Sequence, residues 1–395
     1  MRVDLILVGF GNVARCFVRL LGERAERLRT EHDLTWRVIG IATRRHGWAR
    51  SLEGIDVARA LELVESGQSL ETVDGNSETG DVAGRVRGQP HPGSSRSAVV
   101  TSVGPAARAG RPRPRPPARD RHAASAAFIR ETVGEAKQDD PAGTLVVVET
   151  TVLDIERGQP AIDHVRTALE SGAHVITANK GPAAFAAREL MELAERHRRA
   201  FFFEGAVMDG VPVFNLVRET LPAVSITGFR GVVNATTNYI ITAMEAGREF
   251  DQALAEMQEA GVAEADASFD IDGWDAAAKA AALINVLMKG QVTPHSIDRT
   301  GIGGLTGAAV RDAFARRRRI KLVASAGFCN GQAFGRVAPE ELPAADLLAS
   351  LDGQQNALVL QTDLLREIAI VQRGAGLTQT AYALLSDLVT VRHGF

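Results

Sequence analysis

The chain has 395 residues, a formal net charge of −3, 45% hydrophobic residues and 24% charged residues, the profile of a globular protein with room for about two or three domains. The near-neutral balance gives no case for nucleic acid or a membrane surface as partner, and no apolar run reaches the roughly 18 residues of a membrane span. Two cysteines, Cys16 and Cys329, stand in unrelated contexts and signal neither a disulfide framework nor a zinc site, so a cytoplasmic protein is the expectation.

The first stretch, VDLILVGFGNVARCFVRLLGERAERL, reads as a buried strand, a glycine turn and an amphipathic helix. Gly9, Gly11 and Ala14 form G-x-G-x-x-A. The first glycine permits a tight turn, the second lets backbone approach a pyrophosphate, and the small third residue lets helix pack on strand. The helix start then offers free N–H groups to phosphate. The second strand, WRVIGIAT, ends near Thr43 and is followed by Arg44 and Arg45, where NAD enzymes carry an acid for the ribose. Two arginines suit a 2′-phosphate, which favours NADP over NAD; a solvated basic turn is the alternative.

Residues 83–142 are rich in Arg, Pro, Gly, Ser and Ala and lack a sustained apolar period. They read as a disordered insertion. A basic arm for an acidic partner and an altered reading of the gene are the alternatives. Order returns at GTLVVVETT, a buried strand, and PAIDHVRTALESGAHVITANKGP completes another β-α-β unit. The loop holding Asn179 and Lys180 lies just past a strand end, where open parallel sheets bind ligands.

Further on, SITGFRGVVNATTNYIITAMEAG gives strand, polar turn and helix, with Thr236 and Asn238 either capping the helix or bonding a ligand. Then comes DIDGWDAAAK. Asp275 and Lys279, four apart on a helix, would ordinarily be a surface ion pair. Here the flanks are alanines and the helix continues apolar, so it is buried, and a buried lysine needs a partner. Glu264, Asp266 and Asp270 add acids upstream. Toward the end come two strands, a turn with Gly374 and Gly376, and a closing helix.

Taken together, GFGNV (which includes Asn12 and Val13), ANKGP, GVVNATTNYI, AEADASFDIDGWDAAAK and GAGLTQTA resemble homoserine dehydrogenase over nearly the whole chain except residues 83–142. The block from Gly231 to Lys279 is the most specific part. The resemblance implies an α/β fold: a Rossmann-type dinucleotide-binding domain plus an α+β catalytic and dimerisation domain with a mixed sheet. Expected bounds are 1–178, 179–340 and a returning segment 341–395. It implies NAD(P)H-dependent interconversion of aspartate 4-semialdehyde and homoserine on the route to threonine, methionine and isoleucine, in a homodimer. Carried over by motif, Lys279 with Asp275 and Lys180 are catalytic, and Glu264, Asp270, Thr236 and Asn238 bind substrate. Gly9, Gly11, Asn12, Val13, Ala14, Arg44, Arg45, Asn179, Gly374 and Gly376 bind cofactor. Glu204, Val207 and Asp209 offer carbonyls to a monovalent cation such as sodium.

Small residues replace the family's usual ones at Ala14, Ala235 and Ala267. No sequence after LLSDLV suits a regulatory domain, so no threonine feedback through one is expected. Three readings compete with the lead one. An aspartate-semialdehyde dehydrogenase needs a thiol nucleophile near the chain centre, which neither cysteine fits. A dehydrogenase of another small polar amino acid is the second, and a catalytically impaired dinucleotide-binding relative is the third.

Overall fold

The computed structural model describes residues 1–73, 118–259 and 266–394. The strands are β1 (Arg2–Val8), β2 (Thr35–Ala42), β3 (Trp48–Arg50), β4 (Thr144–Glu149), β5 (His174–Thr177), β6 (Phe201–Phe202), β7 (Ile226–Val232), β8 (Asp298–Arg299), β9 (Arg318–Cys329), β10 (Gln332–Pro343), β11 (Asn356–Thr362) and β12 (Glu367–Gln372). They form two sheets, ordered β3-β2-β1-β4-β5-β6 and β12-β11-β7-β9-β10-β8.

The first sheet is parallel apart from the edge pair β2–β3. Central strands β1 and β4 are apolar along almost their whole length because helices cover both faces. The order reverses between β1 and β4, so the crevice beyond their C-terminal ends is where a ligand fits. Around this sheet lie α1 (Asn12–Glu23), α2 (Ala25–His32), α3 (Val57–Glu65), α4 (Ala118–Asp139), α5 (Ala161–Glu170) and α6 (Lys180–His197).

The second sheet is antiparallel except for β8 beside β10, and is therefore mixed. Its longest pair turns at Asn330 and Gly331, both at positive φ (51° and 77°). That backbone matches the twist of a two-residue hairpin, which Asn-Gly adopts at least cost. Helices α7 (Phe214–Thr220), α8 (Ala235–Glu245), α9 (Phe250–Glu259), α10 (Ser268–Ile271), α11 (Trp274–Leu287) and α12 (Gly307–Ala315) accompany it. Helix α11 is buried from Asp275 through Asn285 apart from Lys279, and its alanines let α6 and the sheet approach closely. Asn285 Nδ2 ties the pair by donating to the carbonyl of Ala184 (3.0 Å) and to that of Val292 (2.9 Å).

Three expectations are corrected. Residues 118–142 are not an unstructured insertion. They carry α4, whose Phe128, Ile129, Val133 and Ala136 are buried in the core; residues 83–117 of that stretch lie outside the described residues. The first unit does not end at 178, because α6 crosses over and β6 pairs parallel with β5. Nor does the whole C-terminal segment return: β11 and β12 belong to the second sheet, and only α13 (Leu377–His393) goes back, packing in the core with α1.

Candidate active site

The glycine turn has the geometry its sequence asks for. Gly9 sits at φ +89°, and a Cβ there would press on the Thr150 carbonyl at 2.8 Å, so glycine is required twice over. Thr150 Oγ1 donates to Gly9 O at 3.0 Å, pinning the turn to the end of β4. Gly11 caps α1 without a side-chain bond, and a Cβ on it would meet nothing within 4 Å. The free N–H groups of α1 therefore face open space, as an anion needs. Ala14 is buried against the sheet and Val13 packs on the same core, while Asn12 Oδ1 accepts from Arg15 Nη2 at 2.6 Å. Arg44 and Arg45 are exposed just past β2. Gly374 is exposed, and Gly376 caps α13. These features fit the pyrophosphate and ribose of a dinucleotide.

Beyond this crevice, where α6 begins and α11 begins, two lysines meet one aspartate. Asp275 lies in the first turn of α11, where a carboxylate favours the helix dipole. Its Oδ2 is 2.9 Å from Lys279 Nζ and its Oδ1 is 3.1 Å from Lys180 Nζ. Asn234 Nδ2 donates to Asp275 Oδ2 at 2.9 Å and to Asp270 Oδ1 at 2.7 Å. Lys279 Nζ also donates to Val233 O at 2.6 Å. The pair seen in sequence is thus a triad, and Lys180 arrives from a different unit.

The electrostatics follow from who faces whom. Burial opposes the charge on Asp275, but Lys279, Lys180 and Asn234 outweigh it and hold the carboxyl well below the usual range. Burial likewise opposes the charge on Lys279, and Asp275 overcomes it, holding the ammonium above its ordinary value. Asp270 moves the other way: burial first, then the Asp275 charge, push its carboxyl up despite Asn234 and Lys279.

Other expected residues fall elsewhere. Thr236 is buried and bonds Asp270, at the edge of the centre. Asn238 is turned into the core, with Oδ1 accepting from Lys321 Nζ at 2.8 Å and Nδ2 donating to Gln355 O at 3.0 Å, so its side chain faces no ligand. Asn179 is buried, and its side chain donates to Thr151 O (2.9 Å) and accepts from Gly181 N–H (2.8 Å), so it shapes the loop that opens α6. Glu264 lies outside the described residues. The Glu204 carboxylate accepts the N–H groups of Val213 (2.5 Å), Phe214 (2.9 Å) and Asn215 (2.6 Å). Asp209 accepts from Gln372 (3.0 Å) and Thr380 (2.9 Å), and Val207 is buried beside them. The sequence reading missed Asn234, although an Asn ahead of a helix is an N-cap signal, and here Oδ1 does accept Thr237 N–H at 2.8 Å. Cys16 packs against the core and Cys329 ends β9 at the hairpin, so neither stands at the charged centre.

A dinucleotide crevice opening onto a lysine–aspartate–lysine centre suits transfer of hydride with a coupled proton. Residues 212–389 match the family model described as homoserine dehydrogenase. The NAD(+)-dependent homoserine dehydrogenase of Pseudomonas canavaninivorans is 31% identical over 388 residues, covering 98% of this chain and 95% of its own. The homoserine dehydrogenase of Methanocaldococcus jannaschii is 31% identical over 396 residues, covering 98% of both chains. Among solved structures, a putative homoserine dehydrogenase from Archaeoglobus fulgidus superposes with a TM-score of 0.72 at 27% identity over 98% of each chain.

Proposed function

The chain belongs to the homoserine dehydrogenase family, and from that premise we propose how its residues carry the interconversion of aspartate 4-semialdehyde and homoserine. The observation that carries the proposal is the shared carboxylate: Asp275 holds Lys180 and Lys279 together at the mouth of the dinucleotide crevice. A nicotinamide cofactor bound at the Gly9–Gly11 turn supplies the hydride for reduction and takes it in oxidation. As the aldehyde carbon is reduced, its oxygen becomes an alkoxide that must be neutralised. An ammonium has three N–H donors. Lys279 spends one on Val233 O and one on Asp275, and stays charged as an electrostatic stabiliser. Lys180 spends one on Asp275 and is the more exposed of the two. It is therefore the proton donor, and in oxidation its neutral form is the base. Asp270 and Glu264 take the substrate ammonium, with Thr236 supporting Asp270.

Arg44 and Arg45 support NADP over NAD, although the Pseudomonas canavaninivorans relative is described as NAD(+)-dependent. A monovalent cation such as sodium would have main-chain oxygens of Glu204, Val207 and Asp209, since both carboxylates are engaged. Phe328, Phe334, Leu364 and Val371 are exposed on the second sheet and its outer edge, which supports a homodimer through that sheet in a cytoplasmic enzyme; sedimentation would read the assembly.

The test is steady-state oxidation of homoserine with NADP and with NAD, across pH, for the unmutated protein, Lys180→Ala and Lys279→Ala. The expected outcome is a rate that rises with pH in the unmutated protein and persists in Lys279→Ala at about 100-fold lower kcat. In Lys180→Ala that rise flattens. A flat profile in Lys279→Ala alone would exchange the two roles, and an acidic optimum for oxidation would remove lysine as the base.

A further inference from the structure

Glu149 ends β4 fully buried, and no step above uses it. Its carboxylate is the hub of a closed ring of hydrogen bonds. Oε1 accepts from the Thr151 N–H at 3.1 Å and from the Thr151 hydroxyl. The Thr177 hydroxyl lies 3.0 Å from Oε2 and 2.8 Å from the Glu149 carbonyl, so its proton ends on Glu149 either way. Thr177 Oγ1 in turn accepts Asn179 N–H at 3.0 Å. Asn179 Nδ2 closes the ring on Thr151 O at 2.9 Å, and Asn179 Oδ1 accepts Gly181 N–H at 2.8 Å to cap α6. Lys180 sits between those two capping residues, with its Nζ 3.1 Å from Asp275.

The ring is braced from behind. His164 of α5 is buried, with Nδ1 3.5 Å from Glu149 Oε1 and Nε2 2.6 Å from Ser125 Oγ of α4. Burying a carboxylate is costly unless its lone pairs are filled, and a filled network fixes geometry. An apolar strand end would have served packing alone, as it does along the rest of β4. The ring instead runs from Glu149 through Thr151 and Thr177 to Asn179, the residue that caps α6.

We propose that Glu149 is a positioning residue: its carboxylate fixes the start of α6 and so aims Lys180 at the Asp275 centre. The inference rests on the role given to Lys180 above. A double-mutant cycle tests it. Glu149→Gln cannot accept both threonine hydroxyls on a carboxylate, and Thr177→Val removes one ring hydroxyl at nearly constant volume. Each is made alone and in the Lys180→Ala background, and kcat, KM for homoserine and melting temperature are measured. In the unmutated background each substitution lowers kcat about ten-fold or more, as a misaimed group does, and leaves KM within about two-fold. In the Lys180→Ala background the same substitutions change the residual kcat less than about two-fold, because the lysine they aim is gone.

Equal losses in both backgrounds would overturn the inference and leave Glu149 a purely structural acid. If Lys180→Ala itself kept full turnover, the role of Lys180 would fall, and the inference with it. Should Glu149→Gln fail to fold, Thr177→Val carries the same cycle.

Discussion

Lys279 and Lys321 both stand within the second unit, and burial opposes the charge on both, yet they are held in opposite ways. Lys279 meets the Asp275 carboxylate at 2.9 Å, and its ammonium is held above the ordinary lysine value. Among the described residues Lys321, on β9, donates to neutral acceptors, Asn238 Oδ1 at 2.8 Å and Leu351 O at 2.5 Å. Burial, with Arg319 adding to it, pushes Lys321 down to about 8 against the weaker pull of Glu245 and Asp352. Two buried aspartates repeat the contrast. Asp275 faces lysines and is driven down, whereas burial and then the neighbouring Glu204 drive Asp387, on α13, up to about 8. Burial alone therefore does not mark the active centre; a charged partner at the mouth of the crevice does.

The sharpest way to break the contrast is to take away the shared carboxylate. Asp275→Ala leaves two lysines facing each other in a buried site. Removing one partner of a buried pair is strongly destabilising, about 3–5 kcal/mol. Turnover is expected to fall about 1,000-fold, the upper range for losing an electrostatic element of a transition state. Asp275→Asn keeps the shape and should recover folding without recovering turnover. Circular dichroism melting beside homoserine oxidation separates the two effects. If Asp275→Asn turned over at the unmutated rate, the charge of Asp275 would have no part in catalysis.

A second test uses Asp387, which anchors α13 by accepting Glu204 N–H at 2.9 Å. A carboxyl raised to about 8 in the folded chain binds its proton more tightly there than when unfolded. Its stabilising contribution is complete below about pH 4 and is lost as pH rises through about 8. Asp387→Asn should therefore flatten the fall in denaturant midpoint between pH 5 and pH 8. An unchanged slope would show that Asp387 does not hold that proton.

Parts of this arrangement were legible in the sequence because they are local. Gly9, Gly11 and Ala14 follow a strand and open a helix, and Asp275 and Lys279 share one helical face, so spacing alone proposes each. The junction was legible only as separate pieces, since Lys180 and Asp275 lie on helices from different units and only the packing of α6 on α11 joins them. The ring around Glu149 was hidden: its partners lie 15 and 28 positions away at His164 and Thr177, and each reads as ordinary core of a β-α-β unit. Helix α4 was hidden by composition. The Arg- and Pro-rich run before it masked the apolar spacing of Phe128, Ile129, Val133 and Ala136. Asn238 misled in the other direction, because its place in the TTN turn looked like a ligand contact until Lys321 claimed it.

Lys321 itself gives the smallest effect and the cleanest control. The folded chain binds its proton less tightly than the unfolded chain does, since burial lowers it to about 8 from the ordinary 10.5. Between those two values the unfolded state holds the extra proton, so stability rises with pH across that window. The displacement is worth about 3 kcal/mol between charged and neutral forms. Lys321→Met removes that penalty but leaves Asn238 Oδ1 and Leu351 O without a donor, at a cost of about 1–3 kcal/mol. Near pH 7 the two nearly cancel, and the variant should melt within a few degrees of the unmutated protein. As pH climbs toward 10 the unmutated protein gains stability relative to Lys321→Met, while homoserine turnover stays within about two-fold, since its ammonium is held by Asn238 and Leu351 and the lysines at Asp275 are Lys180 and Lys279. A turnover loss as deep as that of Asp275→Ala would put Lys321 in the machinery and erase the distinction between the two lysines. A parallel pH dependence in both proteins would show instead that Lys321 is charged at no cost, with Glu245 and Asp352 compensating it across the sheet.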